Sequence, residues 1–554
     1  MPESKLRVGC IQLKAHSLDD AEEGLKHALE MVDEACKANP DIIVLPECTY
    51  PSYFLAGEAP AEPRLRITEE ILEIFAKKAR EHKCYIALGL AEEVDGKIQY
   101  NSAFLLNPAG DCIHRVRKQM MWHCDEIWFK PGQPSQPFPL PWGAAGMVIC
   151  ADARVPEIPR GLAVDGARLL LDTTCLVSSG KDPSALTNAQ VGYMLRTRAV
   201  ENQMWVLASN KVGMEADSVV YCGRSVILSP TGEIVAQAGS EFPEIIVADI
   251  PLPIGGPEAV DGALNPIEGR RPETYCLLTE PYDKLPVASV ITESMVPKDN
   301  LPVVGALQID LSLPLDTLLQ QLKTMLHYAS LQEVDVVVLP EPAAGQWTPE
   351  ESDKILGYLK EISGNLRLTV IFSGVEPGSP RPYKTAFAVS NGRLIHKYRK
   401  AHLELSEKAL YSPGDGDYSI VRIGNTNFGI VMGYEGLIPE VTRILTLQGA
   451  DVVLWPCHFK NERHEYVART RSAENRVFTV ASNAVGASGC GGSLVAGPQG
   501  AILAQAFAGK RQLISALIVV AEARCKKIMP NTDAVYGRRP SGYGPLVSCK
   551  RNNG

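Results

Sequence analysis

Three residues at the ends of strand-like runs have the types needed for a reaction between them. The short apolar run Gly146-Met147-Val148-Ile149 ends on Cys150 and gives way to Ala151-Asp152-Ala153-Arg154-Val155-Pro156-Glu157. The run Asp41-Ile42-Ile43-Val44-Leu45 ends in Pro46-Glu47, and a basic stretch ends in Arg117-Lys118. A free thiol ionises at about pH 8.5, so a nucleophilic cysteine needs a base or a neighbouring cation. A carboxylate can take the thiol proton and pass it to a leaving amine. A lysine that stays charged, with a backbone N–H after the nucleophile, can hold the oxyanion of a tetrahedral intermediate. Glu47, Lys118 and Cys150 therefore supply what amide hydrolysis through a thioester requires, without metal or histidine. Each also has a plainer reading. Free cysteine is among the most buried residue types, a glutamate after a strand is usually solvated, and a lysine among basic residues usually sits on a surface loop.

The elements that must position these groups alternate between strand and helix. Val8–Leu13 reads as a first strand. From Asp19 to Cys36 the apolar positions Leu25, Ala28, Leu29, Val32, Ala35 and Cys36 follow a helical spacing. Asn39-Pro40 ends that helix, because proline cannot continue it and restricts the residue before it. Residues 41–45 form a β-branched run, as expected for a strand covered on both faces. A helix near 68–82, strands near 85–90 and 101–106, the Cys150 strand, a helix and a buried strand over 167–171 follow. This alternation predicts an α/β class. A thiol at the carboxyl end of a buried strand stands where open α/β sheets present groups to a ligand.

The whole pattern occurs twice. Leu45-Pro46-Glu47 recurs as Leu339-Pro340-Glu341, and Arg117-Lys118 as Arg399-Lys400. Arg196-Thr197-Arg198-Ala199-Val200-Glu201-Asn202 recurs as Arg469-Thr470-Arg471-Ser472-Ala473-Glu474-Asn475. Arg270-Arg271-Pro272 with Tyr275 recurs as Arg538-Arg539-Pro540 with Tyr543. The order is kept while loop lengths change, which is the mark of an internal duplication. The expected domains are 1–285 and 301–554, with a linker over 286–300. In the second copy Gly433 stands at the position of Cys150, inside Met432-Gly433-Tyr434-Glu435. Glycine has no side chain to attack with, so that half is expected to be catalytically dead. Cys457, just past the next buried strand where Cys175 lies in the first half, is a weak rescue candidate. Arg198, Glu201 and Asn202 recur in both halves, which favours a structural role, and Asp152 and Glu157 are expected to brace the turn after Cys150.

Leu-Pro-Glu, then Arg-x-Arg-Lys, then Cys-x-Asp-x-x-x-Pro-Glu in this order resembles the nitrilase superfamily, the carbon–nitrogen hydrolases, over nearly the whole chain and twice. The resemblance implies Glu47 as general base, Lys118 as the intermediate-stabilising cation and Cys150 as nucleophile. It also implies a second glutamate after the lysine, matched to Glu126. The fold it implies is two tandem αββα sandwiches packed as an αββα–αββα pseudo-dimer, with the second copy replacing the second subunit of a family dimer. Nitrile hydrolysers of the family usually carry Trp-Glu after the nucleophile. Ala151-Asp152 with Arg154 looks more like the amidase and N-carbamoyl-amine branches.

The expected substrate is thus a small linear amide or N-carbamoyl compound, with ammonia released. The alternatives are a nitrilase, an acyl or amide transferase, and a ligand-binding or regulatory protein. Arg154 is a candidate partner for a substrate carboxylate, and Trp122, His123 and Thr174 are candidate pocket residues. The formal charge of −9, with no Lys/Arg-rich block, speaks against nucleic acid as a partner. No run of about 18 apolar residues suggests a membrane span. The opening residues have no signal-peptide pattern, and the 14 cysteines have no zinc spacing. A cytoplasmic enzyme with reduced thiols and no cofactor or metal is expected, free to assemble into a further homo-oligomer.

Overall fold

The computed structural model describes residues 5–55, 65–178, 182, 185–254, 265–292 and 301–548. They form two compact units. The first comprises Met1–Glu258, Met529–Thr532 and Gly537–Leu546, and the second Ala259–Ile528, Asp533–Tyr536 and Val547–Gly554.

In the first unit, β1 (Lys5–Lys14) leads to α1 (Ala21–Cys36), β2 (Ile42–Val44), α2 (Thr68–His82), β3 (Tyr85–Val94), β4 (Lys97–Leu106) and β5 (Cys112–Arg117). After the short α3 (Asp125–Trp128) come β6 (Phe138–Leu140), β7 (Gly143–Ile149), α4 (Glu157–Val164), β8 (Leu169–Thr173), α5 (Leu195–Asn202) and β9 (Trp205–Ser209). The unit is completed by β10 (Lys211–Glu215), β11 (Val219–Cys222), β12 (Val226–Leu228), β13 (Ile234–Gln237) and β14 (Glu244–Pro251). One sheet runs β11-β10-β1-β2-β3-β4-β5 with β14 also on β1, and the other runs β13-β12-β9-β8-β7-β6. The two sheets face each other through β1, β2, β3 and β4 against β7, β8 and β9. The amphipathic α1 and α2 bury Leu25, Ala28, Val32, Ile71 and Phe75 on the outer face of the first sheet. α4 and α5 cover the second sheet at β7 and β9. The layers are therefore α, β, β, α. Because β2 and β7 are covered on both sides, their sequences are continuous apolar runs rather than alternating ones.

The second unit repeats this plan. One six-stranded sheet is built around Val303–Gln308, Val336–Val338 and Thr369–Glu376, and another around Thr426–Ile430, Val452–Cys457 and Phe478–Asn483. Helices Leu315–Leu331 and Pro349–Leu366 bury Leu318, Leu322, Leu326, Ile355 and Leu359 against the first of these. The α/β class and the doubled sandwich match the expectation from sequence.

The division of the chain differs from the expected boundaries in two places. Residues 265–285 belong to the second unit, where Tyr275, Leu278 and Leu285 are buried and Tyr275 Oη lies 2.7 Å from His402 Nε2. Inside the expected linker, Pro286–Thr292 is a helix with Val287 buried, and 293–300 lie outside the described residues. Conversely, the segments Met529–Thr532 and Gly537–Leu546 belong to the first unit. There Arg538 lies 3.4 Å from Glu157, and Thr532 Oγ1 accepts the His123 N–H at 2.8 Å. The recurring Arg-Arg-Pro motif is what each of these segments carries.

Candidate active site

Glu47, Lys118 and Cys150 come from three strand ends: Glu47 follows β2, Lys118 follows β5, and Cys150 follows β7. Glu47 and Lys118 are fully buried and Cys150 nearly so. Lys118 Nζ lies 2.7 Å from Glu47 Oε1 and 2.8 Å from Asp125 Oδ2. Asn101 Nδ2 donates to the same Glu47 Oε1 at 2.6 Å, and Tyr53 Oη donates to Asp125 Oδ1 at 2.8 Å. Glu47 Oε2 has no hydrogen-bond partner among the described residues. Burial alone would discharge Lys118, but Asp125 and Glu47 reverse that and hold its ammonium well above the ordinary lysine range. Two of its three N–H donors are engaged, which leaves one for a ligand.

Cys150 has φ +50°, a left-handed conformation that costs a side-chain-bearing residue about 1–3 kcal/mol. A short 3-10 turn over Cys150–Arg154 begins there. Its walls are named interactions: Asp152 accepts the N–H groups of Gln119 (2.9 Å), Met120 (2.7 Å) and Ile149 (3.3 Å), tying the Lys118 loop to the nucleophile turn. Arg198 donates from Nε to the Ala153 carbonyl at 2.7 Å and from Nη2 to that of Arg154 at 3.1 Å. In the second unit Arg471 does the same to Gly436 at 3.0 Å. These residues brace the turn in both copies. Burial, and then the charge of Glu47, hold the Cys150 thiol well above the ordinary thiol range. The resting group is the thiol, so its proton must leave as it attacks.

Asp152 is pushed up to about 6, first by burial, against the N–H groups it accepts and Lys118. Its folded value lies above its unfolded one, so its stabilisation is complete below about pH 4 and is lost as pH rises through 6. Asp152→Asn should therefore remove a slope of about 3 kcal/mol from the unfolding free energy between pH 4 and 6. Urea melts of both proteins at pH 4, 5, 6 and 7 measure it, and parallel curves would contradict it.

One expected residue is corrected. Glu126 is exposed and Asp125, fully buried, is the acid on Lys118. α3 turns one residue's side chain inward and the next outward. The signal was available in the spacing: Asp125 follows Lys118 by the same interval at which Glu407 follows Lys400, and Lys400 Nζ lies 2.9 Å from Glu407 Oε2. Glu126→Gln should leave kcat within about twofold, whereas Asp125→Asn should lower it about 100-fold by unseating the lysine. Steady-state kinetics of the two variants decide this, and equal losses would return the role to Glu126.

Arg154 is partly exposed, its guanidinium 4.9 Å from the Trp122 ring centroid. Trp122 packs at the edge of Met120, Ala151 and Val155. His123 is exposed, with its backbone rather than its ring held by Thr532. Thr174 is buried beside Glu47, its carbonyl accepting the Glu47 N–H at 3.4 Å and its hydroxyl without a partner among the described residues. Sequence reasoning missed Asn101, Tyr53, Asp172 and Gln190; Gln190 Nε2 donates to the Cys150 carbonyl at 2.9 Å. No spacing rule marks them, because each arrives from a separate element. Among the described residues no group of three or more His, Cys, Asp or Glu is placed to hold a metal ion, and no helix is long and apolar enough to cross a membrane.

In the second unit the register Phe428↔Val452 reproduces Ala145↔Leu169, so Gly433 occupies the place of Cys150 with φ +44°. A Cβ on Gly433 would lie 1.9 Å from Glu341 Oε2 and 3.1 Å from Lys400 Nζ. Lys384, at the register of Asn101, pairs with Glu341 (3.0 Å) and Glu407 (2.6 Å), while Lys400 pairs with Glu341 at 2.9 Å. His458 Nδ1 lies 3.1 Å from Glu341 Oε2. Against burial, Lys384, Lys400 and His458 hold Glu341 well below the ordinary carboxylate range. Both oxygens of the would-be base are thus occupied. The same register puts His458 at the position of Cys175 and Cys457 at that of Thr174, since Glu341 N–H meets the Cys457 carbonyl (3.3 Å) as Glu47 N–H meets that of Thr174. This corrects the alignment of Cys457. Gly433→Cys in a Cys150→Ala background should therefore release no ammonia and should lower the melting temperature. Measurable turnover would show a latent second site.

A family model described as carbon-nitrogen hydrolase matches residues 7–254 and again 303–526. The chain is 28% identical over 273 residues to a nitrilase of Pyrococcus abyssi, covering 49% of this chain and 99% of that one. It is 28% identical to an (R)-stereoselective amidase of Pseudomonas sp., covering 43% of this chain and 82% of the relative. With the omega-amidase of Bos taurus it shares 30% over 44% of this chain and 88% of the relative. An amidase structure from Nesterenkonia sp. superposes with a TM-score of 0.41 at 24% identity, over 49% of this chain and 95% of that one.

Proposed function

We infer the activity from one premise: the chain belongs to the carbon-nitrogen hydrolase family. Its first unit hydrolyses the C–N bond of a small linear amide or N-carbamoyl compound and releases ammonia. The observation that carries this reading is the division of labour on Glu47, whose Oε1 holds Lys118 and Asn101 while Oε2 is unengaged.

In the proposed sequence, Cys150 Sγ attacks the carbonyl carbon as its proton passes to Glu47 Oε2. The oxyanion is held by the remaining N–H of Lys118. Glu47 returns the proton to the departing nitrogen, the C–N bond breaks, and ammonia leaves behind a thioester. Glu47 then takes a proton from water as the hydroxide attacks the thioester carbon. Collapse breaks the C–S bond, the proton returns to sulfur and the acid is released. Arg154, stacked on Trp122, would orient a substrate carboxylate. The second unit takes no part in the chemistry. A nitrile substrate is the second reading, favoured by the relative in Pyrococcus abyssi that bears the name nitrilase.

Intact-protein mass spectrometry during turnover of amide, carbamoyl and nitrile panels tests this. The expected result is an acyl adduct mapped to the Cys150 peptide, absent in Cys150→Ala, with ammonia formed from amides or carbamoyl compounds. An adduct formed from nitriles alone would replace the amide reading. Equal ammonia release by wild type and Cys150→Ala would overturn the mechanism.

A further inference from the structure

A buried carboxyl sits directly behind the nucleophile without belonging to the Glu47–Lys118–Asp125 cluster. Asp172, in β8, is fully buried. Its Oδ1 accepts the backbone N–H of Cys150 at 3.0 Å, and its Oδ2 has no hydrogen-bond partner among the described residues. The ionisable groups that face it are Glu47, Asp152 and Lys118, with the thiols of Cys150 and Cys10. Lys118 is already shared by Glu47 and Asp125, and no cation lies within ion-pair distance of Asp172 among the described residues. An ionised carboxylate so placed would sit in a dry site with one N–H and like-charged neighbours, at a cost of several kcal/mol. The neutral acid avoids that cost. Burial, then Glu47 and Asp152, accordingly hold the group well above the ordinary carboxylate range, against the pull of the Cys150 N–H and Lys118.

The duplicated half supplies an internal comparison. By the register already described, Trp455 stands where Asp172 stands, and its indole Nε1 donates to the Gly433 carbonyl at 2.8 Å. There the turn keeps its positive φ over a tryptophan, at a glycine that adopts this conformation without strain. Where the thiol is gone, the carboxyl is gone too. The contact also removes the Cys150 N–H from the oxyanion site, which leaves Lys118 and the N–H after the nucleophile for that task.

We propose that Asp172 is a positioning residue for the hydrolysis, kept as a neutral carboxylic acid whose Oδ1 fixes the backbone of Cys150 and so aims the thiol. This rests on the reading of Cys150 as the nucleophile.

The test compares Asp172→Asn and Asp172→Leu in the full chain by two measurements. One is the pH profile of Cys150 alkylation by iodoacetamide, followed on the Cys150 peptide; the other is kcat and KM. Asparagine is neutral and its amide oxygen accepts the same N–H. Its alkylation profile should superimpose on wild type to within about 0.3 pH unit, and kcat should stay within about threefold. Leucine cannot accept the N–H, and kcat should fall about 30- to 100-fold with KM little changed. A shift of the Asn profile to lower pH by about one unit or more would show that an anion had been removed, and would overturn the neutral assignment. Wild-type kcat in the Leu variant would overturn the positioning role. If the Leu variant fails to fold, the Asn profile decides the neutral assignment and Asp172→Val, which likewise cannot accept the N–H, takes the place of leucine in the kcat comparison. Turnover surviving in Cys150→Ala would instead defeat the underlying reading, whatever the Asp172 variants do.

Discussion

Cys150→Ala should lower turnover by about four orders of magnitude or more while leaving the fold and substrate binding in place. The argument is geometric. The backbone at Cys150 is held by Asp172 on its N–H and Gln190 on its carbonyl, and the turn beyond it by Asp152 and Arg198. None of these contacts uses sulfur. Alanine tolerates the same left-handed conformation at a similar small penalty, so the melting temperature should move by no more than a few degrees. Removing Sγ removes the group that forms the thioester in the proposed mechanism, and Glu47 and Lys118 alone can offer water only weak assistance. Cys175→Ala and Cys457→Ala are the controls. Cys175 Sγ lies 3.0 Å from the Glu47 carbonyl and Cys457 Sγ 3.4 Å from that of Ser482, and burial holds both thiols well above the ordinary range. Each should keep kcat within about threefold. Single-turnover ammonia release on the three variants measures this, and a large loss at Cys175 or Cys457 with Cys150→Ala still active would reassign the nucleophile.

Much of this was legible in the residues themselves. The β-branched run before Glu47, the apolar run before Cys150 and the helical spacing over α1 and α2 reflect burial, and burial writes itself into hydrophobic pattern. The duplication did more, because it showed which residues recur with a bracing role and which substitution, cysteine to glycine, separates the halves. What stayed hidden came from side chains delivered by other elements. Asn101 lies on β4 and reaches Glu47 across the sheet, and its counterpart Lys384 has a different chemical type. Asp172 and Trp455 share a register and a hydrogen bond to the backbone of the turn residue, but not a chemical type. Residue type alone points to Glu126 as the second acid, whereas the fixed interval from lysine to acid in both copies points to Asp125. The domain boundary misled for a similar reason: the Arg-Arg-Pro segments follow each repeat in sequence, but Tyr275 buries in the second unit and Arg538 meets Glu157 in the first.

Lys118→Met should lower both activity and stability, and the second half of the chain provides the contrast that separates the causes. Lys118 is the cation that pairs with Glu47 and Asp125. Its loss leaves two buried carboxylates whose remaining donors are neutral: Asn101 on Glu47, and Tyr53 and the Trp122 N–H on Asp125. Breaking a buried pair from one side costs about 3–5 kcal/mol, because the charge left behind is uncompensated. Loss of the oxyanion partner should lower kcat by a further factor of about 10³. Lys400→Met removes the matching residue of the second unit, but there Lys384 still reaches Glu341 at 3.0 Å and Glu407 at 2.6 Å. The destabilisation should be correspondingly smaller, and kcat should stay near wild type. Urea melts and steady-state kinetics on both variants test the pair of statements. Equal destabilisation would mean that Lys384 does not share the charge of Glu341. A Lys118→Met enzyme with near-normal kcat would mean that the ammonium stabilises the fold rather than the transition state.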